Sequence, residues 1–116
     1  MKLIKTLGTL ALALGTAAAT GAVQAKDLKI GVVVPISGPF AAHGKQIKHG
    51  IDLFLAAHGD TVAGRHVQIL YKDDTGIAPA VAKRQAQGLR IKDKVDILAV
   101  FTLTPNAFSV APLATE

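Results

Sequence analysis

Residues 28–35 read Leu28-Lys29-Ile30-Gly31-Val32-Val33-Val34-Pro35, a β-branched run closed by a residue that cannot continue a hydrogen-bonded ladder. A strand apolar on both faces belongs inside a sheet covered on two sides, which is the habit of parallel sheets. Ile36 to Phe40 then form a loop rich in turn residues. From Ala41 to about Ala57 the period changes: Ile47, Ile51, Phe54 and Leu55 recur at the spacing of one helical face, with Lys45, Lys48 and Asp52 on the other.

The same alternation repeats downstream. Gly59, Asp60 and Gly64 mark a loop, and His66 to Tyr71 read as a second strand. Asp73-Asp74-Thr75-Gly76 is a turn signal, read as an Asx-turn that caps the next helix. That helix is expected from about Pro79 to Lys92, with Ala82, Ala86 and Leu89 inward, Pro79 in the first turn and Gly88 weakening its middle. Val95 to Phe101 form a third strand, and a third helix starts near Pro105, bent or short because Pro112 interrupts it. The order β-α-β-α-β-α predicts an α/β fold with parallel strands and right-handed crossovers. Ligands of such sheets bind beyond the carboxyl ends of the strands. With the first strand between the other two, the loops Pro35–Phe40 and Thr102–Asn106 become neighbours.

Residues 1–25 stand apart. Lys2 and Lys5 precede an uncharged run from Leu7 to Ala19, and Val23-Gln24-Ala25 resembles a cleavage site, so a cleaved secretory signal is expected. Residues 26–116 keep 11 basic against 8 acidic residues, a charge of +3. The basic residues are scattered and aromatic residues are few, which argues against nucleic acid. With no cysteine, the exported chain suits a periplasmic protein better than a disulfide-stapled extracellular scaffold.

Several chemistries fail on spacing. His43, His49, His58 and His66 include no pair at helical i, i+3 or i+4 distance, so no metal is expected, and no other cofactor either. Gly38 and Gly44 do not fit a dinucleotide fingerprint, Gly44-Lys45-Gln46 fails as a P-loop, and neither Ser37 nor Ser109 sits in a nucleophile elbow. The two loops remain. Ser37-Gly38 offer a hydroxyl and open backbone N–H groups before a helix. Thr104 and Asn106 do the same before the third helix, with Thr104 as its cap and Pro105 at the first helical position. Helix N-termini favour anions, so a carboxylate is a natural partner, while simple capping is compatible with the same residues.

The segments Lys29–Ala41, Gly44 and Gly50, Asp60–Arg65, Lys72–Pro79 and Lys94–Ala99 together resemble the periplasmic substrate-binding proteins of ABC transporters for branched-chain amino acids. Leu103-Thr104-Pro105-Asn106-Ala107 is similar to a subgroup whose ligands include aromatic and other small carboxylates. The resemblance covers residues 26–116 and implies a periplasmic-binding-protein type I lobe, present here as part of its amino-terminal lobe. It implies a small-molecule ligand held in a cleft between two lobes, a membrane permease as partner, a periplasmic location and no enzymatic activity. It places Thr104 at a carboxylate-gripping hydroxyl, beside Phe101, Thr102, Leu103 and Asn106. Ser37, Phe40 and His43 fall on the facing loop and helix. The chain departs from the pattern at Val100 and Thr102, where relatives tend to carry glycine, and at His43, where they tend to carry tyrosine. With half a cleft, weak or no binding is expected. Two other readings stay open: a small α/β enzyme or receiver-like domain using Asp73 and Asp74, and a non-functional exported remnant.

Overall fold

A computed structural model describes residues 25–101 and 103–115. The predicted signal segment and Thr102 therefore lie outside the described residues, apart from Ala25. The elements are β1 (Leu28–Val34), α1 (Ala41–His58), β2 (Thr61–Val62), β3 (Arg65–Asp73), α2 (Pro79–Ile91), β4 (Ile97–Val100) and α3 (Thr104–Val110), followed by a 3-10 turn, Ala111–Ala114. The sheet order is β2-β3-β1-β4. β1 pairs in parallel with both neighbours, setting Val33 opposite Lys72 on one side and Val100 on the other.

The pleat sorts the side chains into two layers. Val33, Leu70, Leu98 and Val100 share one face and meet Ala82, Ala86 and Leu89 of α2, Val110 of α3 and Leu113. Val32 and Val34 point the other way, and all three valines are essentially inaccessible to solvent. The run that opened the chain is thus buried on both faces. Tyr71 lies on the α1 side, where its hydroxyl donates to Asp52 Oδ1 at 3.2 Å and Lys48 Nζ sits 4.9 Å from its ring centroid. Burial, then the Asp52 carboxylate, push the Tyr71 phenol up to about 12.

Three expectations need correction or extension. Phe54 does not face the sheet: it is 60% exposed and stacks on His58 at a centroid distance of 4.3 Å. The cause is Gly44, which is buried against the Pro35 carbonyl so closely that any Cβ would collide with it. The side of α1 toward the sheet centres on Gly44, with Ile47, Ile51 and Leu55 half-buried and Phe54 exposed, and Lys48 and Asp52, expected on the opposite face, meet Tyr71. β2 was not expected. It forms a hairpin with the start of β3 through Ala63 and Gly64, both at positive φ (49° and 75°), a geometry that suits tight two-residue turns. A two-residue strand is too short to show a period in sequence. β4 is shorter than Val95–Phe101, beginning at Ile97. Pro112 acts as expected, since α3 gives way to the 3-10 turn one residue before it. Among the described residues no helix is long and apolar enough to cross a membrane.

Candidate functional site

β1, β3 and β4 are parallel neighbours, so the loops that follow them gather at one end of the sheet. Asp73 ends β3 directly opposite Val34. Its Oδ1 accepts the N–H groups of Ile36 at 2.8 Å, Ser37 at 3.2 Å and Thr75 at 2.8 Å. Burial raises its pKa, but hydrogen bonds from the Ser37 side chain and from the Thr75, Ile36 and Ser37 N–H groups outweigh that, and the carboxyl titrates below its ordinary value. The two loops also touch through backbone: Gly38, at φ 76°, lies so close to the Thr75 carbonyl that a side chain there would clash. The Ser37 N–H is therefore not open, as the sequence suggested; it is bound to Asp73.

Asp74 is wholly buried and accepts the Gly76 N–H at 3.2 Å. Both aspartates thus make the predicted i to i+2 turn, yet neither caps α2, whose N-cap is Ala78 without a side-chain hydrogen bond. They tie loops together instead. With Asp74 sealed from solvent and Asp73 engaged by backbone N–H groups, a phospho-acceptor pair is not available here.

Asn106 departs furthest from expectation. It is 0% exposed and does not face a ligand: its Nδ2 donates to Asp74 Oδ2 at 2.8 Å and to the Gly76 carbonyl at 2.7 Å, while its Oδ1 accepts the Ala78 N–H at 3.1 Å. Thr104 is not the cap of α3 either. Leu103 holds the N-cap position in extended conformation (φ −123°, ψ 114°) with no side-chain cap, and Thr104 is the first helical residue. Thr104 is exposed, and its hydroxyl makes no hydrogen bond among the described residues.

The remaining expected residues divide between the segment after β4 and the start of α1. Phe101 donates its N–H to the Val33 carbonyl at 3.2 Å and is 41% exposed, and Leu103 is half-buried. Phe40, half-buried, and His43, exposed, form a tilted ring pair 6.2 Å apart at the start of α1. An open, mostly apolar groove of about 400 Å³ runs from Leu103 and Thr104 along Ala107 and Phe108 to Val100 and Ala111, on the α3 side of β4. Among the described residues no group of three or more His, Cys, Asp or Glu side chains is arranged to hold a metal ion. His66 instead pairs with Asp60 at 3.0 Å, at the start of β3 and away from the loops. Sequence reasoning missed the Asp73 and Asp74–Asn106 ties; the local signal existed in the Asp-Asp pair, but its partners lie about thirty residues away in sequence.

Comparison with known proteins fits this layout. The chain is 42% identical over 110 residues to the Leu/Ile/Val-binding protein homolog 6 of Brucella abortus (strain 2308), covering 95% of this chain and 28% of that protein. It is 46% identical to a solute-binding protein of an ABC transporter from Rhodopseudomonas palustris BisB5 solved with 3,4-dihydroxybenzoic acid, at a TM-score of 0.73 over 78% of this chain and 24% of the other. A second R. palustris solute-binding protein, in complex with 4-hydroxybenzoate, is 42% identical with a TM-score of 0.74 and the same coverage, 78% and 24%. A leucine-binding protein of Thermotoga maritima is 25% identical at a TM-score of 0.69, over 75% of this chain and 24% of that one. The chain thus spans about a quarter of the length of these relatives. Residues 27–116 match the profile of the periplasmic binding proteins, and the chain belongs to that family.

Proposed function

We propose that the chain carries the solute-binding function of an ABC importer, taking branched-chain amino acids or small aromatic carboxylates at the loop end of its sheet. The observation that supports this reading is Thr104 at the start of α3, exposed and with no hydroxyl hydrogen bond among the described residues. An exposed hydroxyl on the first residue of a helix suits a carboxylate oxygen. We assign Phe101 and Leu103 to the same site, with Thr102 between them in sequence, and Ser37, Phe40 and His43 to its other side, where an aromatic ring could stack. Relatives of 42% and 46% identity solved with hydroxybenzoates favour an aromatic acid, and the leucine-binding relative keeps amino acids in view. Asn106 serves this site from beneath and does not touch the ligand. The partner is a membrane permease, and residues 1–25 direct export to the periplasm.

These loops form one wall of a cleft, so binding by this chain alone is expected to be weak, roughly millimolar, about −4 kcal/mol. Amide chemical shifts followed during titration with 4-hydroxybenzoate, benzoate and leucine test the proposal. The amides of Ser37, Phe101, Leu103 and Thr104 are expected to move, and Thr104→Val to abolish the movement. Flat titrations with every probe, or an unchanged response in Thr104→Val, would refute the site. Micromolar affinity would refute the one-wall account.

A further inference from the structure

We propose that Asn106 is a positioning residue: through Asp74 and the β3–α2 loop, its buried carboxamide holds the start of α3 and the Ser37 loop in one fixed arrangement. A carboxamide has two N–H donors and an acceptor oxygen. All are engaged, and every partner belongs to the loop after β3: Asp74, Gly76 and Ala78. None of these bonds caps α3 itself, so the side chain serves the junction between elements. Asp74 continues the connection, since its N–H donates to the Val34 carbonyl at 3.2 Å, at the end of β1. Its neighbour Asp73 collects the N–H groups of Ile36, Ser37 and Thr75 on one oxygen. The β3–α2 loop is therefore a hub, bound to the β1 loop by Asp73 and to α3 by Asn106.

No hydrogen bond of Asn106 reaches the Ser37 loop among the described residues. A change at Asn106 that loosens Ser37 must therefore travel through the hub. Burial makes such a tie stiff, because a donor or carboxylate left unpaired in a dry site is far less stable than the bonded state. The binding consequence rests on the proposed function above; the mechanical coupling does not.

Amide hydrogen exchange on the whole chain separates the two. In Asn106→Ala, the amides of Ile36, Ser37, Thr75, Gly76 and Ala78 are expected to exchange about ten- to hundredfold faster, while Val32 and Val33 in β1 keep their protection. Equal acceleration at Val32 and Val33 would reduce Asn106 to a folding residue, and unchanged exchange at Ile36 and Ser37 would remove the coupling; either overturns the proposal. If Asn106→Ala does not fold, Asn106→Asp decides. It faces Asp74 with a second carboxylate that has no donor when ionised, so the protection factors of its loops, each referred to the intrinsic exchange rate at the same pH, are expected to rise as the pH is lowered from about 8 to about 5. Asp73 of the same loop is the neighbouring acidic residue in sequence, and backbone N–H groups engage it. α3 and the 3-10 turn carry no charged residue, the first turn of α2 has no acidic one, and Lys83 and Arg84 are exposed. Equal protection factors in the Asn106→Asp loops at both pH values, or a chain unfolded at both, would sink the proposal. Titration with 4-hydroxybenzoate is the separate arm: if the unmodified chain does not bind it while the exchange pattern holds, the binding assignment fails and the positioning role stands.

Discussion

Asp73 Oδ1 fixes the first loop by accepting three backbone N–H groups, two of them from residues 36 and 37 positions away. Only the ionised carboxylate accepts all three well, so its protonation and the folding of the loop are linked. The folded pKa lies below the ordinary 3.8, so this stabilisation is present above that value and is lost as pH falls through the lower folded pKa. In urea unfolding, Asp73→Asn is expected to be less stable than the parent at neutral pH and to show a shallower fall in stability below pH 3.8. Equal acid slopes for the two chains would remove Asp73 from this role. The Asp-Asp-Thr-Gly motif announces the turn, but the same side chains also choose long-range partners, and nothing within the motif names Ile36 or Asn106. Thr104 shows the reverse limit: its residue type fits a cap, yet the helix begins one residue earlier with Leu103 at the N-cap position, and its hydroxyl makes no hydrogen bond among the described residues.

At the scale of elements, periodicity was reliable wherever an element was long and buried. β1 matches its expected bounds, and α2 differs by one residue at its end. It failed for β2, which is too short to be periodic, and for the rotation of α1, which depends on where Gly44 allows close approach. Gly44 and Gly88 both lie within helices but differ in surroundings: a Cβ at Gly44 would collide with Pro35 backbone, whereas nothing lies within 4 Å of one at Gly88. Gly44→Ala is therefore expected to destabilise the chain by about 1–3 kcal/mol, since neither the helix nor the β1 loop can move freely. Gly88→Ala should stabilise it by about 1 kcal/mol through helix propensity. Chemical denaturation of the two variants checks both signs, and a stabilising Gly44→Ala would contradict the packing of α1 on Pro35.

Across the whole molecule the two sheet edges differ. β3 is covered by the short β2 hairpin, whereas the outer edge of β4 has no strand beside it among the described residues. Ile97, Ala99 and Phe101 alternate along that edge without a charge between Asp96 and Phe101, and Ile97 and Phe108 are 48% and 74% exposed. An apolar groove lies on the other face of β4, beside α3. Unpaired N–H and C=O groups beside apolar side chains favour edge-to-edge association, and natural sheets suppress it with inward or edge charges. At raised protein concentration, light scattering by the chain is therefore expected to increase, and Ile97→Lys to reduce it. Lys83→Ala, on the exposed side of α2, should leave scattering unchanged or raise it slightly. If Ile97→Lys scatters as much as the parent, association does not run through β4, and the exposed face of α1 around Leu53 and Phe54, 71% and 60% exposed, becomes the surface to charge next.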